Sequence, residues 1–389
     1  MQARLMTEAA PDLISFALGL PAVELFPQNA FTEVAHAVLR SNRMALQYGP
    51  PCSSLKSQIV ELMHRRGVDA TEEQIYLTAG AQQGLSLLSS ILLNPGDIVM
   101  LEGANYPGFM EALRPCRPRL CPVPTNLLTG IDVDAVQSLL EEGISPALLY
   151  VMTEAHNPMG VSISNENRER LVALAQRYGF MIVEDDAYGL LKYDGRPDRP
   201  LRAFDSQWVS YVGSFSKIVA PSLRVGWVVI PEELIGPFSI AKFGSDLDSY
   251  TLTQHLISAF LDEGRIWDHV QYLCDEYRRR RDIMLNSLAA YFPSTARWSC
   301  PSGGLFIWVE LPEEFDTAAL LPIAVQQQHV AYIPGDSFAV DRKGRFSNCL
   351  RLNFSNSPEG KIKEGVLRLS RIFKEGEIPE TEKSLCVHA

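Results

Sequence analysis

The feature that most constrains this chain is a recurring change of period. Short runs rich in β-branched residues alternate with longer stretches whose apolar residues return every three or four positions. Residues 97–102, 147–152, 180–184, 209–212 and 225–230 read as buried strands, because each is short, apolar and bounded by turn signals. Residues 82–93 follow a glycine turn with helical spacing. Residues 165–178 set Leu171, Leu174 and Tyr178 on one side and polar side chains largely on the other. Strands separated by helices imply βαβ units, and so an α/β fold around a mainly parallel sheet covered by helices on both faces.

Past about residue 250 the texture changes. Residues 252–288 read as mostly helical. Residues 304–310, 331–333 and 350–354 read as strands beside a helix over 359–373, a smaller α+β unit. The tail after Lys374 is polar and contains Pro379, which predicts fraying.

Composition narrows the function. At 46% hydrophobic and 21% charged residues, the 389-residue chain can fill a large core. It contains no run of about 18 apolar residues that could span a bilayer, and residues 1–11 lack the apolar stretch of a secretory signal. A formal charge of −11 argues against a nucleic-acid partner. The basic run 278–281 reads as the solvated face of a helix. Seven scattered cysteines without a C-x-x-C pair suit reduced thiols in a cytoplasmic protein better than a disulfide framework or a metal site. His156, beside Asn157, is the one histidine expected near chemistry, although a structural role is open to it too.

Four segments carry unusual residues. Thr78 to Gly84 lies between a short strand over 75–78 and an apolar helix. It is either a plain tight turn or a place where small residues let the backbone approach an anion at a helix N-terminus. Glu184, Asp185 and Asp186 close a strand. They form either a surface acid cluster with a helix cap or a set of carboxylates that raise one another's pKa unless a cation is near. Lys217, in Ser214-Phe215-Ser216-Lys217, is one of nine lysines and sits between apolar runs. It is either a loop lysine with its head in water or a buried amine with a lowered pKa, able to form a Schiff base. Arg351 interrupts the apolar pattern Leu350 to Phe354 and faces away from Leu350 and Leu352. It is either a surface strand arginine or a two-pronged clamp for a carboxylate.

In this order and spacing these segments resemble the aspartate-aminotransferase-like (fold type I) enzymes that use pyridoxal 5′-phosphate. The likeness is closest to the branch with 2-aminoadipate and kynurenine aminotransferases. Phe16 to Pro21 with Glu24 to Pro27, Gln47 to Pro50, His156 to Gly160, Gly213 to Lys217 and the acid run ending at Tyr188 carry the likeness, over nearly the whole chain. The resemblance implies a seven-stranded sheet in a large cofactor-binding domain over 46–285. It places residues 1–45 as an N-terminal arm that joins the C-terminal part, 286–389, in a small α+β domain.

It also implies site roles. Lys217 would hold the cofactor as a Schiff base and shuttle a proton. Asp185 would pair with the ring nitrogen, Asn157 and Tyr188 would bond the ring's phenolic oxygen, and Tyr106 would stack on the ring. The phosphate would lie against Ala81, Gln82, Ser214, Ser216 and Arg224. Tyr48 would reach the phosphate of a neighbouring subunit, which implies a homodimer with active sites at the interface. Arg351 would clamp the substrate α-carboxylate, with Asn157, Gly19 and Leu18 also against the substrate. Ala81, Leu18 and Met159 depart from the family's usual hydroxyl residue, glycine and threonine. The first departure removes one phosphate bond, and the second should reshape the pocket.

The implied activity is an aminotransferase acting on an amino acid and a 2-oxo acid, with neither a membrane nor a nucleic-acid partner. The same cofactor site would also serve an enzyme that forms a carbon–carbon or carbon–heteroatom bond, distinguished by its products. A ligand-sensing module of the kind found in some transcription regulators is disfavoured, because family-like sequence begins by about residue 12 and leaves no room for a winged helix.

Overall fold

In a computed structural model, residues 12–195, 197–247, 249–262, 264–341 and 344–374 are described. The expectations for segment 1–11 and for the tail beyond 374 lie outside these residues.

Seven strands form the large sheet: β1 Ile75–Thr78, β2 Ile98–Glu102, β3 Arg119–Val123, β4 Leu148–Val151, β5 Met181–Asp185, β6 Val209–Ser214 and β7 Gly226–Val229, in the order β1-β7-β6-β5-β4-β2-β3. The central strands β4 and β6 are buried along their whole length, which is why both are rich in apolar residues. Pairing is parallel from β6 through β5, β4 and β2 to β3. β7 runs antiparallel to both β1 and β6. Its link from β6 is too short for a crossover helix, so the chain doubles back. β3 gives no strand signal in sequence: Pro122 lies inside it, and its first two residues are exposed at the sheet edge.

Helix boundaries follow local chemistry. Asn165–Tyr178 starts where the Ser164 side chain accepts from Asn167 N and stops at Gly179, which takes φ 72°. Leu171, Val172, Leu174 and Ala175 are its buried stripe. The mostly helical stretch expected over 252–288 is formed by two helices, Thr251–Asp262 and Arg265–Tyr291, preceded by Ile235–Asp246, which sequence reading missed.

The basic run corrects an expectation. Arg278 and Arg279 lie on the outer side of Arg265–Tyr291, but Arg280 and Arg281 are buried, at 4% and 8% exposure. Arg280 donates to Ser355 O and pairs with Glu24 Oε1 at 2.8 Å, and Arg281 donates to Pro301 O at 2.8 Å. Helical geometry turns a block of four through a full revolution, so part of it must face inward.

The smaller unit is a four-stranded antiparallel sheet of Arg297–Trp298, Phe306–Glu310, Cys349–Asn353 and Ile333–Pro334. The N-terminal strand Ile14–Ser15 pairs in parallel with Val330–Ala331, so the two ends of the chain share this unit. From there residues 16–20 run over the carboxyl edge of the large sheet. Phe16 N donates to Ala331 O at 2.8 Å, and Asn353 N donates to Phe16 O at 2.8 Å.

Candidate active site

The parallel strands end at one edge of the large sheet, the place where open α/β sheets take ligands. β5 ends on Asp185 and β6 on Ser214. Asn157 follows β4, and Tyr106 follows β2. Because β7 is antiparallel, it begins at this same edge, and Arg224 enters beside it. A cavity of about 530 Å³ opens there. It is lined by Leu18, Gly19, Ala81, Gln82, Tyr106, Asn157, Asp185, Tyr188, Ser214, Ser216, Lys217, Arg224 and Arg351. Of the site residues expected from sequence, Tyr48 alone lies elsewhere. It is 77% exposed, in a shallow groove with Ala45, Leu46, Tyr250 and Thr253.

One end of the cavity suits an anion. Helix Ala81–Leu92 opens at Gly80, which takes φ 77° and offers no side-chain cap, so the first amides keep their donors. Arg224 lies across the turn. Its guanidinium donates to Ala79 O at 3.1 Å and Pro221 O at 3.2 Å, and to Ser216 Oγ at 3.4 Å. A Cβ at position 80 would sit 2.4 Å from Arg224 Nη2, so only glycine admits this approach. Gln83 Oε1 holds Ala79 N at 2.8 Å and fixes the turn.

The three acids are buried, not a surface cluster, at 0%, 2% and 4% exposure for Glu184, Asp185 and Asp186. Each meets a different partner. Glu184 accepts from Thr153 Oγ1 and from the amides of Leu201 and Arg202. Asp186 pairs with Arg66 at 2.8 Å and accepts from Tyr211 Oη at 2.9 Å. Asp185 alone faces the cavity. Its Oδ2 accepts from Tyr150 Oη, and its Oδ1 has no partner among the described residues. Burial pushes its pKa up to about 6, with the Tyr150 bond opposing and Asp186 adding to the rise.

Lys217 is a buried amine. Nζ donates to Gly19 O at 2.9 Å. Burial, then the charges of Arg351 and Arg224, lower its pKa to about 8. Arg351 is 3% exposed and reaches Asn157 Oδ1 at 2.8 Å and Ala17 O at 2.6 Å. Burial pushes the hydroxyls of Tyr106 and Tyr188 upward in pKa, so both stay protonated donors. His156 stands just behind the cavity, its Nε2 3.0 Å from Glu102 Oε2 inside the core. That is the structural role left open to it.

Sequence reading missed Tyr150, Phe306 and Phe338. The first touches Asp185, and the other two line the cavity. Register would have exposed Tyr150: it pairs with Val183 across β4 and β5, so Asp185 two residues on points to the same face.

The chain is similar to known proteins over nearly its whole length. Residues 13–369 match the family model described as aminotransferase class I and II. The chain is 37% identical over 373 residues to aromatic-amino-acid aminotransferase 1 of Thermococcus litoralis, covering 94% of this chain and 88% of that one. It is 35% identical to 2-aminoadipate transaminase of Thermus thermophilus, covering 94% and 91%. The crystal structure of Pyrococcus horikoshii kynurenine aminotransferase in complex with PMP superposes with a TM-score of 0.90 at 34% identity, covering 96% and 93%.

Proposed function

The chain belongs to the class I and II aminotransferases, pyridoxal-phosphate enzymes that pass an amino group between an amino acid and a 2-oxo acid, and we propose that the residues of the carboxyl-edge cavity carry the reaction. The cavity's chemistry fits the cofactor. A phosphate dianion suits free helix amides beside Arg224. A ring nitrogen that must stay protonated needs a buried acceptor, and Asp185 Oδ1 is buried without a partner. An aldehyde needs an amine with an accessible neutral form, and Lys217, its pKa lowered to about 8, holds a far larger neutral fraction near physiological pH than an ordinary lysine.

When bound, pyridoxal phosphate supplies an electron sink for the negative charge left at the substrate Cα. The protein's part is positioning and proton transfer. Ala81 and Gln82 amides, Ser214, Ser216 and Arg224 would hold the phosphate. Tyr106 would lie against the ring, and Asn157 and Tyr188 would serve its phenolic oxygen as donors. Lys217 Nζ would hold the cofactor and, in its neutral form, accept the proton from the substrate Cα. Arg351 binds the α-carboxylate, with Asn157, Gly19 and Leu18 against the rest of the substrate. The observation that carries this reading is the convergence of an amine, a carboxylate with one oxygen unpartnered among the described residues and two guanidinium groups on one cavity.

A homodimer completes the proposal. Tyr48 sits outside the cavity amid exposed Met44, Leu46 and Tyr250, an apolar face suited to a second copy in whose cavity Tyr48 would meet the phosphate. The domain division at 45/46 and 285/286 belongs to the same reading, as does a cytoplasmic setting. In support of the latter, the described cysteines are free, and no described helix is long and apolar enough to cross a membrane.

Borohydride reduction of the yellow protein followed by peptide mapping tests the site. The label should fall on Lys217, and a label on another lysine overturns the assignment. Release of a 2-oxo acid from the amino donor tests the reaction itself.

A further inference from the structure

Arg351 is a buried cation without a counter-ion. At 3% exposure it takes part in no ion pair with a carboxylate among the described residues, and its Nε has no acceptor. Its two oxygen contacts, Asn157 Oδ1 and Ala17 O, are neutral. A lone buried guanidinium is costly unless something else holds its charge.

Two aromatic rings are placed to do so. The guanidinium carbon lies 4.1 Å from the ring centroid of Phe306 and 4.8 Å from that of Phe338. Both distances are well inside the range of a cation–π contact, which is strongest where water is excluded. The topology brings them there from different elements. Arg351 pairs with Trp308 across the small sheet, so Phe306, two residues earlier, is its diagonal neighbour on the same face. Ile333 pairs with Arg351 on the other side, and the 3-10 turn Gly335–Phe338 then carries Phe338 back over it.

Both rings are themselves fixed. Phe306 meets Tyr188 edge to face at 5.9 Å, and Phe338 meets Trp308 in the same way at 6.0 Å. Gly19 leaves room for Phe306, whose Cζ would lie 3.0 Å from a Cβ at position 19.

We propose that Phe306 and Phe338 are positioning residues for the carboxylate clamp: their π faces hold Arg351 charged and oriented in an empty site, so that an arriving α-carboxylate finds it preorganised. The inference rests on the reading of Arg351 as that clamp. It separates the rings from ordinary core packing, since packing depends on their shape and this role depends on their electron density. Burial lowers the Arg351 pKa to about 10, with Tyr188 and Tyr106 opposing the fall.

The test uses the holoenzyme with phenylalanine bearing one, two or three fluorines at position 338, and separately at 306. Fluorine withdraws density from the ring and leaves its shape nearly unchanged. The probe is 3-phenylpropionate, which has a carboxylate and no amino group. Its Kd should rise stepwise with fluorine number, to about tenfold for the full series, and more steeply at 306, where the ring is closer. In steady state KM for an amino donor should rise with kcat and cofactor absorbance unchanged, while Tm falls in step with fluorine number as the buried cation loses what holds its charge. A flat Kd and a flat KM across both series would mean that the rings only pack. Arg351→Lys is the companion measurement. If it leaves Kd and KM unchanged, the clamp reading itself fails and the inference with it. If it weakens binding while fluorination does not, only the role of the rings is overturned.

Discussion

Tyr150 Oη donates a 2.7 Å hydrogen bond to Asp185 Oδ2, from the strand next to the one that Asp185 ends. The bond occupies one carboxylate oxygen and leaves Oδ1 without a partner among the described residues. Tyr150 is in turn stacked on Phe109, ring centroids 3.6 Å apart, so the acceptor is held from behind by a packed side chain. Two adjacent acids on one strand end therefore differ in kind: Asp186 is paired with Arg66, while Asp185 waits for a cation that the protein does not supply.

That difference predicts opposite effects on stability. An acid whose pKa rises on folding binds its proton more tightly in the folded state, so stability falls as pH climbs from about 4 to about 6 and the deficit persists above. Asp185→Asn removes the burden and should stabilise the cofactor-free protein at pH 7–8 by on the order of 1–3 kcal/mol, the gain vanishing near pH 4. The same variant should slow amino transfer by orders of magnitude. Asp186→Asn leaves Arg66 buried without its partner and should cost roughly 3–5 kcal/mol, with a milder effect on the reaction. Denaturant unfolding of both variants across pH checks the pair.

Lys217 should titrate apart from the other lysines. In the cofactor-free protein, pH-resolved acetylation read by mass spectrometry should give a midpoint at about 8 for Lys217. Arg351→Met removes the largest neighbouring positive charge and should move that midpoint upward. An unchanged midpoint would mean that burial alone sets the value.

Arg351→Lys should weaken every donor that carries an α-carboxylate. An ammonium cannot reproduce the planar two-pronged contact, and a loss on the order of 100-fold in kcat/KM is expected. The cofactor spectrum should not move. Equal losses for all donors would locate the effect at the shared carboxylate, not at the side chain.

Gly160→Ala should destabilise the loop that presents Asn157. Gly160 takes φ 69°, and a Cβ there would lie 2.4 Å from the Phe306 carbonyl oxygen. The left-handed backbone and the overlap together should cost roughly 2–4 kcal/mol. Gly143→Ala is the control: it has φ 91° but nothing within 4 Å of the added carbon, so its cost should be smaller. Urea unfolding of the two variants measures the difference.

The sequence revealed what depends on local pattern. Strands β4 to β6 were legible because burial on both faces makes them short runs dominated by apolar β-formers, with the polar exceptions gathered mostly at their carboxyl ends. Lys217 stood out because it lies between apolar runs and not on a charged face, which left a loop lysine and a buried amine both open until the fold placed it. The edge strand β3, with Pro122 inside it, carried no such pattern. Tyr150, Phe306 and Phe338 were invisible for a different reason. Each acquires its role from a neighbour on another strand, and a single sequence carries no register between strands. The block 278–281 misled because like charges suggest one solvated face, whereas successive helical residues point in different directions.

The strip from Phe16 to Leu20 is fastened through its main chain. Its carbonyls accept from Asn353 N, Arg351, Lys217 Nζ and Ser355 Oγ, while Leu18 and Leu20 line the cavity. Attachment and selectivity are thereby assigned to different atoms of the same five residues. Evolution can rewrite the roof of this chamber at positions 18 and 20 without loosening its rivets, so a change of diet need not begin with a loss of architecture.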